Sequence, residues 1–343
     1  MWHVPCDRSR PTSEKRSTRR LGVESLEERC SPGSLIDLGT LGGYNGDGFA
    51  INGSGLAVGA AYCDMFTSEH AYCCGSDGRM IDLGTLGGSF SEALGVNNAG
   101  QIVGDSTTSN GDAHAFLFSN GVMTDLGTLG GTTSQAHAIN NAGDVVGYSA
   151  TASGQNHAFL DRGGVMTDLG TLGGPSSWAD AVNDAGVVVG ASLTPLYQQH
   201  AFIYSGGVMT DLGTLGGFVS EAYAINNAGQ VVGEAMTSTY QIHAFLYSGG
   251  VMNDLGTLGG WGSYAYGINK QGQVVGTAQT ASGVWHAFLY SGGTMTDLNS
   301  QLPANSGWTA LTRANSINNN GQIVGTGITS AGFTHAFVLN LNS

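Results

Sequence analysis

The stretch Asp125-Leu-Gly-Thr-Leu-Gly-Gly131, continued by Ala136-His-Ala-Ile-Asn-Asn-Ala-Gly-Asp-Val-Val-Gly147 and His157-Ala-Phe-Leu160, decides the fold, because its signatures return in the same order seven times. The heptapeptide begins at Asp37, Asp82, Asp125, Asp168, Asp211 and Asp254, and a degenerate copy, Asp-Leu-Asn-Ser, begins at Asp297; the spacing is 45 residues once and 43 thereafter. His-Ala-Phe begins at His114, His157, His200, His243, His286 and His335, with a His-Ala-Tyr variant at His70. An Ile/Val-Asn pair ends at Asn52, Asn97, Asn140, Asn183, Asn226, Asn269 and Asn318. A period near 43 belongs to solenoids and propellers.

Within one unit, residues 136–140, 144–149, 157–161 and 165–169 read as four short strands. They are rich in Val, Ile, Phe and Leu and are bounded by Gly, Asn and Ser. No segment offers ten residues of helical periodicity. Asn-Asn-Ala-Gly and Ser-Gly-Gly or Arg-Gly-Gly supply the positive backbone angles of tight hairpins. Each unit is therefore expected to be a four-stranded antiparallel meander. Seven such sheets can close radially. The phase of the chain favours closure over an open stack. Residues 34–39 match a fourth strand, whereas the last unit stops after its third, at 335–340. The expected fold is all-β: a seven-bladed β-propeller of four-stranded antiparallel blades, closed by an N-terminal outer strand completing the last blade. Pairing the two ends also hides a sheet edge.

Two glycine and small-residue registers fit that packing. Ala50, Gly95, Ala138, Ala181, Ala224, Gly267 and Ser316 suit the crowded centre where seven inner strands converge. Gly59, Gly104, Gly147, Gly190, Gly233, Gly276 and Gly325 mark close backbone approach in the second strand, and valine at position 190 is expected to overpack a blade interface.

The chain of 343 residues divides into a basic segment, 1–33, expected to be a disordered leader, and the repeat body, 34–343. Only 10% of residues are charged and 41% are apolar, far too apolar for a disordered chain as a whole. Residues 1–33 hold seven of the 11 basic residues; the body sets 20 acidic residues against four basic ones, about −16 in net charge. Such a body repels phosphate backbones and anionic lipid, so no nucleic-acid partner is expected. No apolar run approaches the length of a membrane span.

The body resembles the HAF repeat family of extracellular repeat proteins. His-Ala-Phe, Asp-Leu-Gly-Thr-Leu-Gly-Gly and Ile-Asn-Asn-Ala-Gly-Gln-Val-Val-Gly carry the likeness over residues 34–339. The first unit departs from it with His-Ala-Tyr-Cys-Cys, and the last with Asp-Leu-Asn-Ser-Gln-Leu-Pro. Arg20-Leu-Gly-Val-Glu-Ser-Leu-Glu-Glu-Arg-Cys-Ser-Pro32 resembles the short leader of exported planctomycete proteins. These resemblances imply an extracellular or cell-surface location and no established activity.

Sevenfold His and Asp speak for scaffold, since a catalytic site is single and asymmetric. Asp37, Asp82, Asp125, Asp168, Asp211 and Asp254, with His114, His157, His200, His243, His286 and His335, are expected to tie turns and strands together. No unit has the Asp-x-Asp-x-Asp run of a calcium loop, and no P-loop or nucleophile elbow occurs. No cofactor, metal or catalytic residue is assigned. Cys6, Cys30, Cys63, Cys73 and Cys74 do not recur with the repeat. The strand register sets Val58, not Cys63, opposite Cys73, which makes a disulfide between those cysteines awkward.

Function is expected on the face that varies. The hairpin face is monotonous. The opposite face gathers Tyr44, Phe90, Trp178, Phe218, Trp261 and Trp308 on the loops from fourth to first strands, and Phe66, Tyr197, Tyr240, Trp285 and Phe333 on those from second to third. Aromatic rings among hydroxyls and amides suit sugars or a partner protein. Trp178, Tyr197, Phe218, Tyr240, Trp261, Trp285 and Trp308 are the candidate ligand-binding residues. The connection 299–313 is about six residues longer than its counterparts and is the first place to look for a unique site. The expectation is a monomeric, non-catalytic binding module for polysaccharide or extracellular protein. A structural or adhesive repeat protein is the alternative. A polysaccharide-active enzyme is a further one, and it would require a deep, asymmetric cleft of interacting ionisable groups.

Overall fold

The computed structural model describes residues 35–64, 68–303 and 305–341. The leader 1–33, with Cys6 and Cys30, and the predicted rim residue Phe66 lie outside the described residues. The chain forms seven four-stranded antiparallel blades arranged in a ring, the first two joined edge to edge by a single parallel pair, Glu69 with Phe90. Blade one is Gly46–Ile51, Ala57–Tyr62, Glu69–Cys74 and Met80–Asp82. Blade three, typical of the rest, is Gly130–Ile139, Val145–Thr151, Asn156–Asp161 and Met166–Asp168. Blade seven is Trp308–Ile317, Gln322–Thr329 and Thr334–Asn340, and Leu35–Gly39 supplies its outermost strand. Leu35 pairs with Leu339 and Asp37 with Phe337, so the N-terminal strand closes the ring. No helix among the described residues is long and apolar enough to cross a membrane.

The repeat motifs explain the closure. The Phe of each His-Ala-Phe is fully buried (Phe116, Phe159, Phe202, Phe245, Phe288, Phe337), and Tyr72 takes its place in blade one. Each ring packs with small and β-branched residues of two consecutive blades: Phe159 with Val103 and Ala115 of blade two and Ala136 and Val145 of its own. Burial of one such ring stabilises by roughly 1.5–3 kcal/mol, repeated around the circle. A buried serine adds a polar tie. Ser134 Oγ accepts from the backbone of Ala115 in the preceding blade and donates to the carbonyl of Gly127 at 2.6 Å. Ser91, Ser177, Ser220 and Ser263 repeat this arrangement.

The seven Asn residues that end the inner strands form a closed circle of hydrogen bonds. Each Nδ2 donates to the backbone carbonyl of the next Asn, from Asn52 to Asn97 at 2.9 Å and on round to Asn318, which donates back to Asn52 at 2.9 Å. Each Oδ1 meanwhile accepts from its own turn, as Asn140 does from Ala142 and Asp144. Buried side-chain amides partnered in this way hold the hairpin end of the ring together.

Two expectations are corrected. The inner strand begins six residues earlier than the pattern suggests, at Gly130 rather than 136, because the last glycines of the heptapeptide enter the sheet with Gly130 opposite Thr151. The crowding at Gly190 lies within a blade, not between blades: an added Cβ would fall on the carbonyl oxygen of Trp178 and 2.8 Å from Ala179 Cα, where the inner strand bulges toward it. Contact between blades occurs at the small register instead, where a Cβ on Gly95 would meet Ala138 Cα at 3.0 Å.

Candidate functional site at the mouth of the central channel

A long inner strand exposes alternate side chains to the axis of the ring. One register places Phe49, Leu94, His137, Asp180, Tyr223, Tyr266 and Asn315 around the channel; Glu92, Gln135 and Arg313 line the same cavity two residues nearer the variable face. The cavity has a volume of ≈ 390 Å³. It lies at the end of the inner strands away from the Asn circle.

The cavity is deeply asymmetric. Glu92, in the lining, stands directly across the sheet from Asp105, and beside the lining residue Tyr223 the Glu221 carboxyl stands across from Glu234. Like charges at opposed positions oppose folding, and such exceptions mark function more often than structure. Burial, then Asp105, pushes the Glu92 carboxyl up to about 8. Burial, then Asp180 and Glu234, pushes Glu221 up to about 8, and burial pushes Glu234 up to about 7. At neutral pH Glu92 and Glu221 are thus mostly protonated and Glu234 about half so, and a protonated carboxyl can donate as well as accept. His137 Nδ1 lies 2.8 Å from Asp180, and its Nε2 lies 3.0 Å from Gln135. Burial disfavours the imidazolium, but the bond to Asp180 and its charge outweigh that and raise His137. Asp180 Oδ2, Glu234 Oε2 and Asn315 Oδ1 are buried acceptors without a partner, three of the five such side-chain atoms among the described residues. A native interior leaves few of these.

Aromatic rings lead into this funnel. Trp285 lies 5.4 Å from Tyr264, Tyr264 is stacked 6.2 Å from Tyr266 with planes 5° apart, and Tyr266 lies 5.4 Å from Tyr223. The Arg313 guanidinium sits 4.0 Å above Tyr266, a favourable seat for a cation on a ring face. Arg313 is delivered by the long connection, whose short helix Leu298–Gln301 is anchored by Asn299 bonding Leu311 through both side-chain atoms.

The predicted binding residues scatter over this face. Trp178 is not on a loop: it belongs to the inner strand Ser177–Val182, two residues before Asp180. Trp285 starts its strand and heads the aromatic lane. Trp261, Tyr197 and Tyr240 are outlying and exposed, at 74%, 76% and 73%. Phe218 opens the inner strand of its blade and lies 6.0 Å from Tyr240. Trp308 is half-buried, edge-on to Phe337 and against the backbone of Gly327. Tyr223, Tyr264 and Tyr266, His137, Asp180, Arg313 and the carboxyl pairs were not singled out. Their signal is a register that varies between two registers held small, by Ala, Gly or Ser.

The seven His–Asp pairs form on the outer strands, with Nδ1 2.7–2.9 Å from the carboxylate in every blade. Each Asp also accepts from the backbone two residues on, as Asp168 does from Gly170 at 2.7 Å.

No family model matches the chain, and no curated protein matches it. Its likeness to solved structures is one of fold. The β-propeller domain of the Trilobed protease from Pyrococcus furiosus is 11% identical with a TM-score of 0.56, over 86% of this chain and 93% of that one. A puromycin-hydrolyzing peptidase of Mycobacterium tuberculosis is 11% identical with a TM-score of 0.54, over 90% of this chain. TolB from Acinetobacter baumannii is 10% identical with a TM-score of 0.49, over 87% of this chain. The chain spans only 55% of the peptidase and 64% of TolB. The Pyrococcus domain has an open velcro topology; here the first strand pairs with the last blade.

Proposed function

We propose that the protein is an extracellular, non-catalytic glycan-binding propeller that receives its ligand at the channel mouth on the variable face. The observation that carries this reading is the lane Trp285–Tyr264–Tyr266–Tyr223, which runs from the surface into a funnel with partnerless acceptors. Rings offer apolar faces to the C–H surfaces of sugars, while the protonated Glu92 and Glu221 and the acceptors of Asp180 and Asn315 suit hydroxyl groups. The exposed Trp261 and Tyr240 lie outside this path. A glycan array probed with the wild-type chain is expected to give binding that falls at least about tenfold in Tyr266→Ala and Trp285→Ala, the loss of one good aromatic contact. Trp261→Ala is expected to bind like the wild type. Absence of any bound glycan, or full binding by Tyr266→Ala, overturns the reading.

One observation favours catalysis on polysaccharide as a second reading. His137 and Asp180 line one asymmetric cavity, and the Glu221 carboxyl, raised by burial and by Asp180, adjoins it, a grouping suited to general acid–base work. Release of reducing ends from a bound polysaccharide, abolished by Glu221→Gln with binding retained, is the result that would establish it.

A further inference from the structure

Blade one departs from its six siblings at one outer position. Cys63 occupies the place held by Thr108, Thr151, Thr194, Thr237, Thr280 and Thr329, at the end of the second strand. In several of those blades the threonine Oγ1 accepts from the following turn, as Thr194 does from Gln198 and Thr237 from Gln241. The thiol gives up that role and lies 4.0 Å from the carbonyl of Ala61. What it gains is proximity to the His–Asp pair. Ligand atoms of Cys63, His70 and Asp82 all lie within 4.8 Å of one another, the single such cluster of His, Cys and carboxylate groups among the described residues.

We propose that Cys63, His70 and Asp82 form a site for a borderline-soft divalent cation, Zn²⁺ in particular. One thiolate, one imidazole and one carboxylate are the donor mix that Zn²⁺ accepts, and three protein ligands leave a fourth tetrahedral position to water. The site can admit that water: the Asp82 side chain is 43% exposed and His70 22%. Bond lengths of about 2.0–2.3 Å to the metal require the cation to enter between His70 Nδ1 and Asp82, which now lie 2.9 Å apart. The Nδ1 proton is then replaced at Nε2 through solvent, and the thiol proton is released. Asp64, next to Cys63 in sequence, adds negative charge that favours a cation. The repeat itself explains why only this blade qualifies: the other six pairs have the imidazole and carboxylate but a hydroxyl in place of the thiol.

Titration of the chelator-stripped full chain with Co²⁺, a spectroscopic stand-in for Zn²⁺, is the test. One equivalent is expected to produce a thiolate-to-metal charge-transfer band, and Zn²⁺ is expected to bleach it. Cys63→Thr restores the residue that six blades carry and so keeps the fold; it is expected to abolish the band. Thr108→Cys builds the same trio with His114 and Asp125 in blade two and is expected to add a second equivalent. A band that survives Cys63→Thr would place the metal on another cysteine, and no band in the wild type would exclude the site; either overturns the proposal.

Discussion

His335 Nδ1 lies 2.9 Å from the carboxylate of Asp37, across 298 residues of sequence. The same pair forms locally in the other six blades, within 11 or 12 residues. The latch is thus made of the ordinary repeat chemistry, applied between the two ends of the ring. Local pairs hold one sheet together; this one also holds the circle shut.

Asp37→Ala is therefore expected to lower the free energy of unfolding by about 1 kcal/mol through its own lost bonds. A chain beginning at Thr40 loses the whole edge strand and is expected to fall much further, with aggregation through the uncovered edge of Thr334–Asn340. Denaturant melts of the two variants check the order.

The Asn circle makes a second expectation. Asn183→Ala removes a donor to Asn226 and an acceptor for two backbone N–H groups of its own turn. Leaving buried groups unpaired costs roughly 1–3 kcal/mol, and thermal melting should show it. Leu196→Ser, at an exposed turn position with 78% of its surface in solvent, is expected to have a far smaller effect.

At Gly190 even a methyl group has no room, because the Trp178 carbonyl occupies its place. Gly190→Ala is expected to cost at least roughly 2 kcal/mol, and valine more. Equal melting midpoints for the three residues would contradict the overlap.

The funnel sets the pH response. Glu92 and Glu221 are raised to about 8 and Glu234 to about 7, so the folded protein holds protons there that the unfolded chain has released above about pH 4.5. Stability tied to these groups is present in full below about pH 4.5, falls progressively as pH rises above it, and has been lost once pH passes the folded-state values of about 7 to 8. His137, also raised, acts in the same direction. Glu221→Gln is expected to stabilise the fold by roughly 1–3 kcal/mol at pH 8.5 and to change it little at pH 5. Melts at the two pH values decide this.

The architecture was legible because its determinants repeat. His-Ala-Phe supplies the buried ring, Ser134 and its equivalents the tie between blades, and Asn140 and its equivalents the inner circle, so each signal is read several times over. The closing strand was legible from phase alone. The funnel was not, for the opposite reason: Phe49, Leu94, His137, Asp180, Tyr223, Tyr266 and Asn315 share one position and almost no chemistry. Their meaning appears only when seven strands bring them to one axis. Trp178, Phe218 and Trp261 read as loop aromatics because the apolar pattern starts at 136-type positions, whereas their inner strands begin earlier, at Ser177, Gly216 and Gly259. Arg313 was hidden by the long connection, whose last residues are already strand.

The bond from Asn318 to Asn52 has the same donor, acceptor and geometry as the six that join consecutive units. The amide circle thus keeps no record of where the backbone is interrupted. A circularly permuted protein, opened at a different hairpin and joined across the present seam, would present the same seven amides to the same seven carbonyls.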